Sequence, residues 1–226
     1  MAKLLTKEQA ARAVYFDFEG CVGEAPSLLG WSFVRDDGSE GLGHDIVARA
    51  LWGAGRKVPH TNGKVLCGQS TFPTAVSYLV RLAEQHDRQI VSWAHFDMDM
   101  IERYVDDPTL VERARQRYMN ALPTARQWLK NVHPQFKLER TRSGKHRLSR
   151  YCEITGISVP KKYDQDVAAK GIRVTRDAIA KFGSYSKIPQ DSAVRGAWKA
   201  VLGHNRLDCR NAREIVTRAA AEYAAL

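Results

Sequence analysis

The run Ala13-Val14-Tyr15-Phe16-Asp17-Phe18-Glu19 constrains this chain more than any other stretch, because it sets two carboxylates inside an otherwise β-branched and aromatic segment that Gly20 ends. Such a segment reads as a strand. Residues two apart on a strand share a face. Asp17 and Glu19 therefore project together, and Phe16 and Phe18 pack into a core behind them. Two carboxylates on one face repel each other unless a cation or water neutralises them. Oxygen-only ligands favour magnesium or manganese over zinc. An ordinary edge strand with two solvated acids satisfies the same pattern.

The surrounding chain supplies layers for that strand. Thr6-Lys7-Glu8-Gln9 has the form of a capping box and predicts a short helix through Arg12. Ser27 to Arg35 reads as a second strand, turned at Asp36-Asp37-Gly38, and Gly43 to Val47 as a third. Residues 52–70, rich in Gly, Lys and His, read as a loop. Val76, Leu79, Val80 and Ala83 fall on one face of a helix from Pro73 to Gln85. Ile90 to Trp93 is a short buried strand, with helices expected near 97–105, 109–119 and 124–131. Lys145 to Ile154 predicts another, stopped by Gly156. Residues 157–190 read as polar and irregular, and helices near 191–202 and 206–224 close the chain. Early strands and late helices imply a mixed α/β or α+β layer structure.

Two further clusters carry chemistry. In Trp93-Ala94-His95-Phe96-Asp97-Met98-Asp99 an acid stands where the buried strand gives way to a helix. From there it can face the end of the first strand. Taken alone, Asp97 in this position reads first as a helix cap or dipole partner, and Asp99 competes as a ligand. In His204-Asn205-Arg206-Leu207-Asp208-Cys209 a helical spacing puts His204 and Asp208 on one face. Asp208 then ligates a metal while His204 reaches an attacking water, a task suited to an imidazole. A surface i,i+4 pair fits the same residues.

Charge points to a polyanionic partner. The 226 residues carry a formal net charge of +10, with a pI near 9.6, which suits nucleic acid. Arg126, Lys130, Lys137, Arg140, Arg142, Lys145, Arg147 and Arg150 crowd one stretch interrupted by a single acid, Glu139. Trp128, Phe136 and Tyr151 are interleaved there and can stack bases. The same aromatics can instead belong to the core. Lys145, Arg147, Arg142 and Trp128 are the substrate-binding candidates. Cys21, Cys67, Cys152 and Cys209 are too scattered for a C-x-x-C metal site and read as reduced core thiols. With a mean hydropathy of −0.41, no secretory-type apolar leader and no apolar run near the ~20 residues of a membrane span, the expectation is a cytoplasmic protein.

Taken together, Tyr15-Phe16-Asp17-Phe18-Glu19-Gly20, His95-Phe96-Asp97 and His204-Asn205-Arg206-Leu207-Asp208-Cys209 resemble the DEDD exonucleases of the RNase H-like superfamily. They look most like bacterial exonucleases whose last motif reads Tyr-Asn-x-x-Asp-Cys. Here His204 takes the tyrosine's place, and the middle motif lacks the family's asparagine. The resemblance implies an RNase H-like α/β fold with a mixed central sheet flanked by helices. It implies one domain over residues 1–226, with insertions near 36–70 and 157–190. It further implies two Mg²⁺ or Mn²⁺ ions held by Asp17, Glu19, Asp97 and Asp208, with His204 as base. The activity implied is 3′–5′ cleavage of single-stranded DNA or RNA. Two cations ~3.5–4 Å apart stabilise both the attacking and the leaving oxygen of such a displacement. Three other readings stay open: a catalytically silent nucleic-acid-binding scaffold, an interaction protein of a repair or defence assembly, and an endonuclease of the same superfamily.

Overall fold

The structure, a computed structural model, describes residues 3–55, 66–138, 146–160, 163 and 167–226. Its centre is a six-stranded mixed sheet in the order β4-β3-β2-β1-β5-β6. The strands are β1 (Val14–Glu19), β2 (Leu28–Val34), β3 (Glu40–Ile46), β4 (Leu66–Gln69), β5 (Ile90–Ser92) and β6 (Tyr118–Asn120). β1 runs antiparallel to β2 and parallel to β5, with Asp17 opposite Gly30 and Tyr15 opposite Val91. β2 and β3 are antiparallel; β3–β4 and β5–β6 are parallel. The helices are α1 (Lys7–Arg12), α2 (Phe72–Gln85), α3 (Phe96–Tyr104), α4 (Pro108–Arg117), α5 (Ala121–Asn131), α6 (Leu148–Thr155), α7 (Val167–Phe182) and α8 (Ala193–Tyr223). This is an α/β fold, and no helix among the described residues is long and apolar enough to cross a membrane.

Strand alternation divides β1 between two cores. Val14, Phe16 and Phe18 join Leu29, Trp31 and Phe33 of β2 against α2, α3 and α4. Tyr15 faces the other way, toward Ala212 and Val216 of α8. Asp17 and Glu19 share Tyr15's face, so the two acids of β1 lie beneath α8. Ile172 of α7 and Trp198, Val201 and Leu202 of α8 cover Leu28 and Ile46 at the neighbouring part of the sheet.

Several expected elements need correction. The 52–70 loop contains β4, which pairs with β3 from Gly43↔Leu66 to Ile46↔Gln69; residues 56–65 lie outside the described residues. No sequence pattern announces β6, because three residues between two helices carry no periodicity of their own. β5 supplies their partners, as in Val91↔Met119. The irregular stretch expected at 157–190 holds the 16-residue α7. Its buried stripe is Ala168, Gly171, Ile172, Thr175 and Ala178, at helical spacing but with Ile172 as its one large apolar member. Gly171 lets α7 approach α8 closely, since a Cβ there would lie 2.5 Å from Val201 and 3.0 Å from the Ala197 carbonyl. The two C-terminal helices are one, the 31-residue α8, which passes through Gly203. A helix tolerates an internal glycine at about 1 kcal/mol. Here the missing side chain makes room for the Tyr163 ring, 2.3 Å from where a Cβ would stand. α6 starts at Leu148, after the expected Lys145, and ends on Gly156 in the left-handed region, the stop its sequence predicts.

Candidate metal centre

Three separated segments meet at the carboxyl ends of β1 and β5. β1 contributes Asp17 and Glu19. β5 ends at Ser92, so the backbone of β1 beyond Tyr15 has no strand partner on that side. Asp97, in the first turn of α3, fills the gap: its Oδ1 accepts from the Phe18 N–H at 3.1 Å. It is 6% exposed, whereas Asp99 points outward and pairs with His95 at 3.5 Å. Of the two middle acids, Asp97 is the one at the site. α8 brings His204 and Asp208 over the same face, with His204 Nε2 3.6 Å from both Glu19 Oε1 and Asp208 Oδ2. Asp17, Asp97, His204 and Asp208 line one cavity of about 460 Å³ together with Phe96 and Arg147. Glu19 lines the adjoining cavity, which shares Phe96 and Arg147.

The histidine's orientation is defined by its other nitrogen. Nδ1 lies 2.8 Å from the Tyr163 carbonyl oxygen. A carbonyl only accepts, so Nδ1 carries the proton. In the neutral ring Nε2 then offers its lone pair toward Glu19 and Asp208. Ligand atoms of Glu19, His204 and Asp208 lie within 4.8 Å of one another, a spread one cation can bridge. The expected ligand set thus gains a neighbour able to act as ligand or base.

Burial and mutual repulsion raise all four carboxyls of this partly dry pocket. Burial, and then the Asp208 charge, pushes the Asp17 carboxyl up to about 7, against the opposing pull of His204 and Asn205. Burial and the Asp97 charge push Asp208 up to about 7 as well. Glu19 and Asp97 stand well above the usual carboxylate range, burial leading and Asp17 following. A bound cation would relieve these penalties, and an oxygen-rich donor set with one imidazole is the kind that suits hard divalent ions.

Asn205 is the residue of this candidate site that the sequence reading does not single out. It is fully buried, and its Nδ2 donates to the Asp17 carbonyl oxygen at 3.0 Å and to Asp17 Oδ2 at 2.9 Å. Gly30, directly across from Asp17, makes this possible: a Cβ there would stand 1.7 Å from Asn205 Oδ1. The available signals are the asparagine of the Tyr-Asn-x-x-Asp-Cys motif, which falls on Asn205, and its place between His204 and Asp208 on the helical face turned toward β1 and β2.

The substrate-binding candidates separate. Arg147 lines the acidic cavity. Arg142 and Lys145 lie outside the described residues. Trp128 is not available for stacking: it is 1% exposed, and its Nε1 donates to Glu222 Oε2 at 2.7 Å. Tyr151 is buried too, its ring edge-on to Trp93. Of the interleaved aromatics only Phe136, 41% exposed, faces solvent. Cys21, Cys152 and Cys209 are free, buried thiols, as their spacing implies; the Cys67 side chain lies outside what the structure describes.

In comparison with known proteins, the chain matches no protein-family profile, and no curated protein matches it.

Proposed function

We propose that the protein is a divalent-cation-dependent nuclease of RNase H-like type, hydrolysing single-stranded DNA or RNA from the 3′ end. One observation carries this reading: four carboxylates from three distant segments converge with His204 at the carboxyl edge of the two central parallel strands. Asp17, Glu19, Asp97 and Asp208 would hold the cations. When bound, these supply Lewis-acid stabilisation of the phosphodiester oxygens. Asn205 fixes the Asp17 carboxylate, and the Phe18 amide fixes Asp97. His204, held by Tyr163, presents Nε2 to accept a proton from the attacking water. Arg147, on the cavity wall, offers a cation to a phosphate. The RNase H-like assignment is supported by the mixed sheet with the acid-bearing strand at its centre, and the 3′–5′ polarity by the motif resemblance.

The test is incubation of end-labelled single-stranded DNA and RNA with manganese, magnesium or EDTA, beside Asp17→Ala. Mononucleotide release that needs the cation and Asp17 supports the proposal. Internal fragments would make the enzyme an endonuclease. Equal cleavage by wild type and variant would falsify the assignment, and no cleavage under any condition would leave a binding scaffold.

A further inference from the structure

The basic run of the sequence is split by the fold, and half of it lines a second groove. This groove, about 1050 Å³, lies between α5, the segment after it and the C-terminus of α8. Arg126 and Lys130 stand four apart on α5, hence on one helical face, and Lys137 follows in the next segment; all three line the groove. No acidic side chain is among the described residues that line it. None of the three cations is ion-paired among the described residues, whereas ten arginines elsewhere are. Two solvent-facing rings sit among them, Phe136 at 41% and Tyr223 at 37% exposure.

The groove and the acidic cavity share no lining residue, but consecutive positions of the chain line the two. His146 lines the groove while its neighbour Arg147 lines the cavity. Trp93, another wall of the cavity, donates from Nε1 to the His146 carbonyl at 3.0 Å and so anchors the boundary. A strand that passes Arg147 on its way to the carboxylates could thus continue toward a cationic, aromatic surface beyond His146.

We propose that this groove is a tethering site for the body of a single-stranded nucleic acid, outside the metal centre. Arg126, Lys130 and Lys137 take successive phosphates, and Phe136 and Tyr223 give flat faces to bases. Unpaired bases are what an exposed ring can stack on. A paired duplex buries those faces, and an acidic peptide does not repeat a flat ring beside every charge as a single strand does. The identification of the strand as substrate rests on the nuclease reading; binding to the groove does not.

The experiment is fluorescence anisotropy of a labelled oligothymidylate across roughly 50–200 mM salt, with EDTA present so that nothing is cleaved. Each phosphate contact on a single strand adds about 0.7 to the slope of log K against log salt. Combining Arg126→Ala, Lys130→Ala and Lys137→Ala should lower that slope by about 2 and weaken binding about tenfold or more. Phe136→Leu should weaken binding severalfold without changing the slope, since stacking is not ionic. If the triple variant melts early by circular dichroism, Lys130→Gln and Lys137→Gln singly should each remove about 0.7 of slope. Unchanged slopes would overturn the proposal. So would polyglutamate or duplex DNA displacing the oligonucleotide as effectively as an unlabelled copy. Cleavage by wild type with unaltered binding in the variants would sink the groove and spare the nuclease; the reverse pattern would do the opposite.

Discussion

Asp208→Asn should make the cation-free protein more stable at neutral pH while damaging its proposed function. Asp208 lies close to His204, and burial together with Asp97 pushes its carboxyl up to about 7. An unfolded aspartate titrates near ~3.9. A raised carboxyl binds its proton more tightly in the fold, so folding stability declines as pH rises from about 4 to about 7 and is flat above. A rise of that size corresponds to at most ~4 kcal/mol. The side chain is 29% exposed and its neighbours can protonate in its place, so about 1–2 kcal/mol is the expected recovery. For a chain of this length that is a melting temperature roughly 2–8 °C higher at pH 8 in EDTA. Below about pH 4 the gain should vanish, because the wild-type carboxyl is then neutral in both states. Millimolar Mn²⁺ should raise the wild type and largely spare the variant, reversing their order. Differential scanning calorimetry at several pH values, with EDTA and with Mn²⁺, reads all of this. A variant that melts lower than wild type at pH 8 in EDTA would refute the reasoning, since it would mean that Asp208 is a stabilising partner of His204.

Gly30→Ala should cost about 1–3 kcal/mol by overpacking against Asn205 and should weaken Mn²⁺ binding, checked by denaturant melts and metal titration; an unperturbed variant would show that Asn205 is free to move. His204→Ala should cut turnover about a hundredfold or more while the bound-ion count stays the same, measured by cleavage kinetics beside metal titration. Loss of an ion in that variant would make His204 a ligand instead. Burial works against ionisation of Glu222, but Arg218, Trp128 and His133 overcome it and hold the carboxyl down at about 2. That stability is present above the ordinary carboxyl range and is lost as pH falls through about 2. Glu222→Gln should therefore destabilise by about 1 kcal/mol at pH 7 and by less near pH 3, as followed by thermal melts.

What is legible in the sequence has strong local causes. The apolar alternation around Asp17 and Glu19 defines β1, and the Thr6 capping box defines α1, with both reciprocal bonds present. The acids are legible because carboxylates inside an apolar strand, or just past one, demand a partner. What escapes depends on partners distant in the chain. β6 exists through its pairing with β5. α7 does carry a helical period, but the face it buries against α8 is mostly small residues with Ile172 as its one large apolar member, so it reads less plainly than α2. Trp128 reads as a stacking ring among basic residues until Glu222, 94 residues away, is seen to hold its indole nitrogen. The role of Asn205 shows only once both Asp17 and Gly30 are in place around it.

Counting manganese ions on the purified chain, by electron paramagnetic resonance of free Mn²⁺ during titration, tests the carboxylate centre most directly. Two ions per chain should bind to the wild type, and fewer to Asp17→Asn even though that variant still folds. A wild type that binds none, or an Asp17→Asn chain that binds as many with equal affinity, would contradict a metal centre built on these four acids.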